Sequence, residues 1–277
     1  MKNPAEDNLT RVALERIAQC PDPRLREVMT SLITHLHSFA REVSLRPEEW
    51  MKAIDFLIET GKLCDDRRNE FILLSDTLGL SAVVDRIANQ DQPASATESS
   101  LLGPFYREGA PVLPLGANIA RDIEGEVIEI RGTVKARDGK PVANALLDVW
   151  TASPAGLYDL QLPEEHGMNL RGRFRADADG RFHFKSVKPS SYPVPVDGPV
   201  GKMLGALGQH PYRPAHIHFI ISADGYRRLT TALYIEGDKY LYSDAVFGAR
   251  ESLTVGYESN RERDWISFDF VLAELYR

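Results

Sequence analysis

Beyond residue 120, apolar and polar residues alternate with a period of two, and short turn sequences interrupt the alternation at close intervals. Successive side chains of a β-strand point to opposite faces of the sheet, so this pattern predicts half-buried strands. The alternating segments are 126–136, 145–152, 173–187, 215–222 and 229–237. Because no long helical run separates them, they predict an antiparallel β-sandwich and argue against a doubly wound sheet.

The sequence DADG at 177–180 divides the segment 173–187 into two runs. It superficially resembles the start of a calcium-binding loop, but the spaced downstream ligands of such a loop are missing. An Asp-Gly pair between two alternating runs is typical of a hairpin turn. We therefore predict a β-hairpin here and no calcium site.

The first 90 residues have helical spacing instead. Apolar residues recur every three or four positions through 24–43, and a second helix is predicted from Pro47 to a stop at Gly61. A third helical run covers 66–88, with a break predicted near Gly79. The polar segment NQDQPASATESS then separates helices from strands. We predict a mixed, mainly β protein with an α-helical domain over 1–95 and a β-sandwich domain over 96–277.

Composition limits the partners and the compartment. A formal net charge of −7 with scattered basic residues gives no electrostatic footprint for nucleic acid, so a small-molecule ligand is favoured. The N-terminal sequence lacks the apolar core of a signal peptide, and no run approaches the roughly 20 apolar residues that span a bilayer. The two cysteines, Cys20 and Cys64, form neither a zinc spacing nor a disulfide framework. We expect a cytoplasmic protein with no membrane span.

Two histidines, His216 and His218, lie one residue apart in the predicted strand RPAHIHF. Side chains two apart in a strand share a face, with about 6 to 7 Å between Cα atoms, which suits two ligands of one metal. His35 and His37 have the same spacing, but on a predicted helix they differ by about 200° in direction. That pair is not expected to share a metal. For His216 and His218, spacing alone leaves metal ligation and hydrogen-bonded core or cleft histidines both open.

Two tyrosines offer oxygen donors that could complete such a site. Tyr158 follows a predicted strand in ASPAGLYD, and Tyr192 lies between prolines that stiffen the loop PSSYPVPVDGP. Considered alone, each is better explained as a packed aromatic ring with a hydrogen-bonded hydroxyl. Their value as evidence comes from their order in the chain.

The order Tyr, Tyr, His-x-His resembles the intradiol ring-cleaving dioxygenases, which use non-haem ferric iron. The resemblance covers most of residues 70 to 260, through LLGPFYREGAP, GLYD and NLRGRFRADADGRFHFKSVKPSSYPVPVDGPVGKMLGALGQHPYRPAHIHFIISADGY. It implies one ferric ion per subunit, held by Tyr158, Tyr192, His216 and His218, and no organic cofactor. Phenolate suits this hard ion, since a bound cation lowers a phenol pKa that is ordinarily near ~10.

The resemblance also implies a reaction in which both atoms of O2 enter a catechol-type ring between adjacent hydroxyls. Tyr192 corresponds to the ligand that the diol displaces, which makes it a catalytic candidate, whereas Tyr158 corresponds to the ligand that stays bound. Arg213 corresponds to an arginine beside the substrate ring, where a fixed cation stabilises negative charge. Without the resemblance, Arg213 would be interpreted as a surface arginine near the start of a strand.

Substrate-pocket positions follow from the same resemblance. They combine apolar walls with one carboxylate, which fits an aromatic ring bearing an extra polar group. These positions are Leu73, Asp76, Leu102, Gly103, Pro104, Phe105, Val194, Pro195 and Val246.

The stretches DGPVGKMLGALGQHPYRPAHIHF and YSDAVFGARESL resemble hydroxyquinol 1,2-dioxygenases most, and Asp76 could hydrogen-bond a third ring hydroxyl. The implied product is 3-hydroxy-cis,cis-muconate or maleylacetate. Catechol-cleaving members usually have glutamine where this chain has Ala232, and hydroxyquinol members often have another polar residue there, so neither pattern matches fully. Catechol or a chlorocatechol is the alternative substrate.

Two other classes of protein stay open at this stage. In a non-catalytic sandwich binding module, His216 and His218 would hold a structural metal or line a pocket. A hydrolytic zinc enzyme would need a nearby general base and would be indifferent to oxygen. The resemblance to the dioxygenases further implies a homodimer joined through the N-terminal helices, with a phospholipid held in a tunnel between them.

Overall fold

The computed structural model describes residues 4–65, 68–161, 167–261 and 263–275. The chain divides into two compact units, Met1–Glu59 and Thr60–Arg277. The domain boundary predicted between residues 95 and 96 stays a prediction. Within the described residues, no helix is both long enough and apolar enough to cross a membrane.

The first unit is helical. It contains α1 (Pro4–Ile17), α2 (Pro23–Glu42) and most of α3 (Pro47–Lys62). The predictions for α2 and α3 are confirmed to within one residue at each end. The Asp22 side chain begins α2 by accepting hydrogen bonds from the backbone N–H groups of Arg24 and Leu25 at 2.8 and 3.0 Å. The sequence analysis missed α1, whose first turn is polar.

In its described residues, the second unit contains three further α-helices: α4 (Glu70–Thr77), α5 (Leu80–Asn89) and α6 (Pro199–Ala206). The break predicted near Gly79 is confirmed, because this residue has φ 76° and separates α4 from α5. Asp66 and Arg67, the first residues of that predicted run, lie outside the described residues. The short α6 was not predicted.

Strands form two five-stranded sheets and a small ribbon. The first sheet has the order β10-β11-β1-β12, with β4 also paired to β1: β1 Val127–Ala136, β4 Arg181–Val187, β10 Glu258–Ser259, β11 Asp264–Ser267 and β12 Phe270–Leu272. The second has the order β3-β2-β7-β8-β9: β2 Leu146–Thr151, β3 Arg171–Arg175, β7 His216–Ser222, β8 Leu229–Ile235 and β9 Thr254–Val255. The ribbon pairs β5 (Tyr192–Pro193) with β6 (Tyr212–Arg213).

The hydrophobic core lies between the two large sheets. Phe174 of the second sheet stacks on Phe184 of the first with ring centroids 4.8 Å apart, and Phe219 contacts Phe270 at 4.9 Å. All four rings are fully buried. The sandwich and the mainly β class are confirmed, and the alternating strands supply one core face to each sheet.

Two details of the strand prediction are wrong. The sheets are mixed, because β1 runs parallel to both β11 and β12, and β8 runs parallel to β9. In addition, β3 and β4 do not form a hairpin, since β3 pairs with β2 and β4 pairs with β1. The turn itself forms, and Gly180 N–H donates to Asp177 O at 3.0 Å. The turn reverses the chain, but burial of Phe174 and Phe184 against each other sends the two strands into opposite sheets.

Candidate metal centre

The histidine pair lies on the central strand β7, between β2 and β8. The side chains of His216 and His218 share one face, as predicted from the strand period, and each is only 1% exposed. Their Nε2 atoms are 3.0 Å apart. Two nitrogens therefore converge on one point inside the protein.

Both predicted tyrosines reach the same point. Tyr158 follows β2 and Tyr192 begins the ribbon strand β5, and the two hydroxyl oxygens are 3.2 Å apart. Tyr158 Oη also lies 3.3 Å from His216 Nε2. The loop carrying Tyr158 approaches closely because Gly156 has φ 77° and no side chain; a Cβ there would lie 2.7 Å from Tyr192 Cβ. Four donor atoms from separate parts of the chain thus form one cluster.

The backbone fixes the orientation of His216. Its Nδ1 lies 2.7 Å from the carbonyl oxygen of Pro214, so Nδ1 carries the proton and donates it. The lone pair of Nε2 is then free to face the cluster. The sequence had not identified this partner.

His218 is held by packing on one face and along one edge of its ring. Trp150, its cross-strand neighbour on β2, stacks on the face of the imidazole. Gly103, with φ 72°, approaches the Nε2–Cε1 edge, and a Cβ there would lie 3.4 Å from His218 Nε2. Its Nδ1 is buried and has no hydrogen-bond partner in the part of the chain that the structure describes.

Burial sets the protonation of the cluster. It lowers the pKa of His216 to about 3, and the positive charge of Arg213 adds to this effect. Burial likewise lowers the pKa of His218 well below its usual range and raises the pKa of Tyr158 well above its usual range. Two neutral imidazoles therefore face the Tyr158 phenol, whose proton is held more tightly than usual unless a cation displaces it.

This donor set fits a hard, highly charged metal ion. A bound cation strongly favours the ionised form of an oxygen ligand, so it would convert buried phenols to phenolates that neutral imidazoles complement. Zinc and calcium sites draw mainly on histidine, cysteine and carboxylate ligands. Among the described residues, no group of three such side chains is placed to hold a metal.

Arg213 is a buried residue of the cluster and not a surface arginine. It is 3% exposed, and its Nη1 lies 3.2 Å from His216 Nε2 and 3.5 Å from Tyr192 Oη. Its Nε and Nη2 atoms face the carboxylate of Asp244 at 3.2 and 3.4 Å. Burial alone would raise the pKa of Asp244, but this ion pair lowers it. The guanidinium therefore brings a fixed positive charge to the edge of the donor cluster.

Sequence reasoning missed Asp244. Its only signal was a carboxylate two residues before Val246 in YSDAVFG.

Some of the predicted pocket residues lie against this cluster. The Phe105 ring stacks on Tyr158 with centroids 4.4 Å apart, and the Val246 N–H donates to Asp244 at 3.3 Å. Asp76 on α4 is 6% exposed; burial raises the pKa of its carboxyl group, and the charge of Arg213 opposes this shift. The remaining positions are less closely tied to it: Leu73 and Val194 are buried, Pro195 is half-buried, and Leu102 and Pro104 are exposed.

A buried ion pair next to Tyr158 was also missed. Arg171 is 2% exposed and donates to both carboxylate oxygens of Asp159, with its Nε at 2.7 Å from Oδ2. The same guanidinium donates to the backbone carbonyl of Phe105 at 3.0 Å. Arg107 adds a third cationic contact to Asp159 at 3.0 Å. These contacts tie the loop of Tyr158 to the segment whose Phe105 ring covers it.

Comparison with known proteins gives consistent matches over nearly the whole chain. Residues 101–274 match the family described as Dioxygenase, and residues 22–96 match the family described as catechol dioxygenase N terminus. The 6-chlorohydroxyquinol 1,2-dioxygenase of Cupriavidus pinatubonensis is 47% identical over 268 residues, covering 96% of this chain and 97% of that protein. A hydroxyquinol 1,2-dioxygenase of a Rhizobium species is 46% identical over 254 residues, covering 91% of this chain and 86% of that protein.

A solved structure supports the same relationship. The hydroxyquinol 1,2-dioxygenase from Pseudomonas putida superposes with a TM-score of 0.92 at 42% sequence identity. The superposition covers 98% of this chain and 99% of that one.

Proposed function

This chain belongs to the intradiol ring-cleavage dioxygenases, and we propose that its substrate is hydroxyquinol, 1,2,4-trihydroxybenzene. The ring opens between the 1- and 2-hydroxyls, and both atoms of one O2 enter the product, 3-hydroxy-cis,cis-muconate or its keto form maleylacetate. The observation that carries the activity is the convergence of Tyr158, Tyr192, His216 and His218 on one buried point beside Arg213.

We propose that these four residues hold one ferric ion per subunit, with no organic cofactor. A ferric ion held by these residues would supply the Lewis acidity and redox chemistry that make a diol ring reactive toward O2. The raised pKa of Tyr158 and the neutral imidazoles are the supporting observations, because they give a donor set that is complete only with a cation.

The protein's own groups then handle protons and charge. By the resemblance, Tyr192 would be the ligand that gives way to the diol, and its phenolate would be the group that takes up a diol proton. Its hydroxyl lies 3.5 Å from Arg213 Nη1, so the guanidinium is placed to stabilise the phenolate and the negative charge that develops on the ring. Tyr158, stacked against Phe105 in a fully buried position, stays in place.

Three observations favour hydroxyquinol over catechol. The curated relatives described above carry the hydroxyquinol name, and Asp76 supplies a buried carboxylate that can accept a hydrogen bond from a third hydroxyl. Ala232, which is fully buried, lies directly opposite His218 in the ladder between β7 and β8. The glutamine that catechol-cleaving members carry at this position is therefore absent beside a metal ligand.

Oxygen uptake and colour test the proposal together. Protein purified aerobically from iron-replete cells should contain about one iron per chain and be wine-red from tyrosinate-to-iron charge transfer. Oxygen uptake should give a higher kcat/KM with hydroxyquinol than with catechol or chlorocatechol. A colourless, iron-free protein that consumes no oxygen with any diol would refute the activity, while a preference for catechol would refute only the substrate.

We further propose a homodimer joined through the helical region 1–95, with a phospholipid between the subunits and 96–277 as the catalytic domain. The support is the apolar face of α2, where Leu25, Leu32, Leu36 and Phe39 are each at least 47% exposed in the single chain. Light scattering should give twice the chain mass of 31.0 kDa, and mass spectrometry of an organic extract should detect the lipid. A cytoplasmic location also stays a prediction. Cys20 and Cys64 are free thiols in the structure.

A further inference from the structure

The guanidinium of Arg213 is bound along one of its edges. Nε and Nη2 form that edge, and they lie 3.2 Å from Oδ1 and 3.4 Å from Oδ2 of Asp244. The remaining nitrogen, Nη1, is the one that faces His216 Nε2 at 3.2 Å and Tyr192 Oη at 3.5 Å. Because a guanidinium is planar and rigid, a carboxylate on one edge determines where the third nitrogen points.

Asp244 is itself held by hydrogen bonds from the backbone that follows it. Its carboxylate accepts hydrogen bonds from the N–H groups of Val246 at 3.3 Å, Gly248 at 3.0 Å and Ala249 at 3.1 Å. Gly248 packs so closely that a Cβ there would lie 2.9 Å from Arg213 Nη2 and 2.8 Å from Tyr234 Oη. The carboxylate therefore has little freedom to follow the guanidinium if the arginine moves.

We propose that Asp244 is a positioning residue for ring opening, which holds Arg213 so that Nη1 alone points at the reacting ring and Tyr192. This inference rests on the proposed dioxygenase function. A donor that is already oriented stabilises developing charge without reorganising during the reaction, and this is the source of most electrostatic catalysis. Asp244 acts through Arg213, so its removal should lower kcat more than it changes KM.

The main experiment compares Asp244→Asn with a matched control in the iron-loaded, full-length enzyme. Asparagine keeps the size of the side chain but lacks the charge and the second acceptor oxygen. We expect kcat with hydroxyquinol to fall by about 10- to 100-fold, less than the roughly 100- to 1,000-fold cost of removing a preorganised donor outright because Arg213 itself remains, with KM changed by less than about threefold. The control is Glu70→Gln, because fully buried Glu70 also accepts from the Nε and Nη2 edge of an arginine, Arg68, at 3.0 and 2.8 Å, with both nitrogens donating to Oε2. It should keep the wild-type kcat.

The visible charge-transfer band gives a readout that does not depend on turnover. Since Arg213 Nη1 lies beside Tyr192 Oη, the band of the substrate-free enzyme should move in the same direction in Asp244→Asn and Arg213→Met. It should not move in Glu70→Gln. An unchanged band in Asp244→Asn together with an unchanged kcat would overturn the proposal.

A double-mutant cycle separates positioning from a purely structural role. In an Arg213→Met background, Asp244→Asn should cause no further loss of kcat. An equal loss in both backgrounds would mean that Asp244 only stabilises the backbone turn that contains it. That result would overturn the proposal. If Asp244→Asn does not fold, Arg213→Lys replaces it, because lysine keeps the charge but lacks the two-nitrogen edge that binds Asp244. A near-wild-type kcat in Arg213→Lys would overturn the proposal. A kcat near that of Arg213→Met would support it.

Failure of the underlying function has a different signature. If the wild-type enzyme consumes oxygen with another diol, the same variants are assayed with that diol. The inference is then tested by the ratio of each variant's kcat to the wild-type kcat. If the wild type consumes oxygen with no diol, the proposed function fails, and the positioning role for ring opening fails with it.

Discussion

The imidazole of His218 lies flat against the indole of Trp150, with ring centroids 4.7 Å apart and 6° between the planes. The two residues face each other across the ladder between β2 and β7, so the sheet that supplies half of the core also carries this proposed ligand. Trp150 is 1% exposed and belongs to a small cluster with Tyr158 and Tyr192, separate from the sandwich core. One aromatic side chain thus packs with three of the four donors.

Trp150→Ala should damage both stability and metal binding. Loss of a buried tryptophan ordinarily costs about 3 to 5 kcal/mol in the free energy of unfolding, and here it also frees the His218 ring to rotate. We expect a lower midpoint in urea and a lower iron content per chain. Trp150→Phe keeps a stacking ring and should retain most of the iron, so equal iron loss in both variants would contradict a stacking role.

The buried pair Asp159–Arg171 should be more important for stability than any exposed ion pair. Asp159→Asn leaves Arg171 buried without its charged partner, which typically costs about 3 to 5 kcal/mol. The control is Asp264→Asn, which breaks a more exposed contact with Lys188 and should cost much less, because solvent screens that pair. Urea unfolding of both variants gives the comparison, and similar losses would show that the buried pair has no special structural role.

The candidate metal centre could be anticipated from sequence to the extent that local period and residue order determine it. The strand period placed His216 and His218 on one face, and resemblance supplied Tyr158 and Tyr192. Partner choice between distant segments could not be anticipated: Asp244 lies 31 residues after Arg213, and Arg171 lies 12 after Asp159. The failed hairpin at Gly180 has the same origin, because a turn sequence fixes a reversal whereas burial of Phe174 and Phe184 selects the sheet.

Tyr158→Phe tests the metal centre directly. It removes one of the two phenol oxygens and leaves the buried ring stacked on Phe105, so the fold should be retained. We expect loss of most bound iron and of the visible band. Ferric iron added to wild-type apoprotein should raise its Tm, since a ligand at 100 times its Kd stabilises by about 2.7 kcal/mol, and the variant should lose this shift. Tyr212→Phe, in the stacked pair with Tyr240, is the control and should keep iron and colour.

Asp76→Asn should make the protein more stable and its substrate selection weaker. Burial raises the pKa of the Asp76 carboxyl above its unfolded value, so its ionised form is disfavoured in the folded protein at neutral pH. Replacing it with a neutral amide should therefore raise the free energy of unfolding at pH 7 by about 1 kcal/mol, a usual gain at a functional position.

The sign of this effect depends on pH. At neutral pH the unfolded carboxyl ionises freely, whereas burial opposes ionisation of the folded one. Below the unfolded pKa of about 4 both states are protonated, and the advantage of the asparagine variant should vanish. Urea unfolding of the two proteins at pH 7 and at the lowest pH where both remain folded measures this difference. An asparagine variant that is less stable at pH 7 would show that the carboxylate is stabilised there by its surroundings.

The same variant should weaken selection of the third hydroxyl. Loss of the carboxyl group as a hydrogen-bond partner should lower kcat/KM for hydroxyquinol by about 10-fold or more while leaving catechol, which has no third hydroxyl, nearly unaffected. Asp148→Asn is the control, because Asp148 is also buried but hydrogen-bonds Tyr106 at 3.2 Å and not the cluster. If Asp76→Asn lowers kcat/KM for both diols equally, Asp76 shapes the pocket without reading the third hydroxyl, and the specificity must come from another residue.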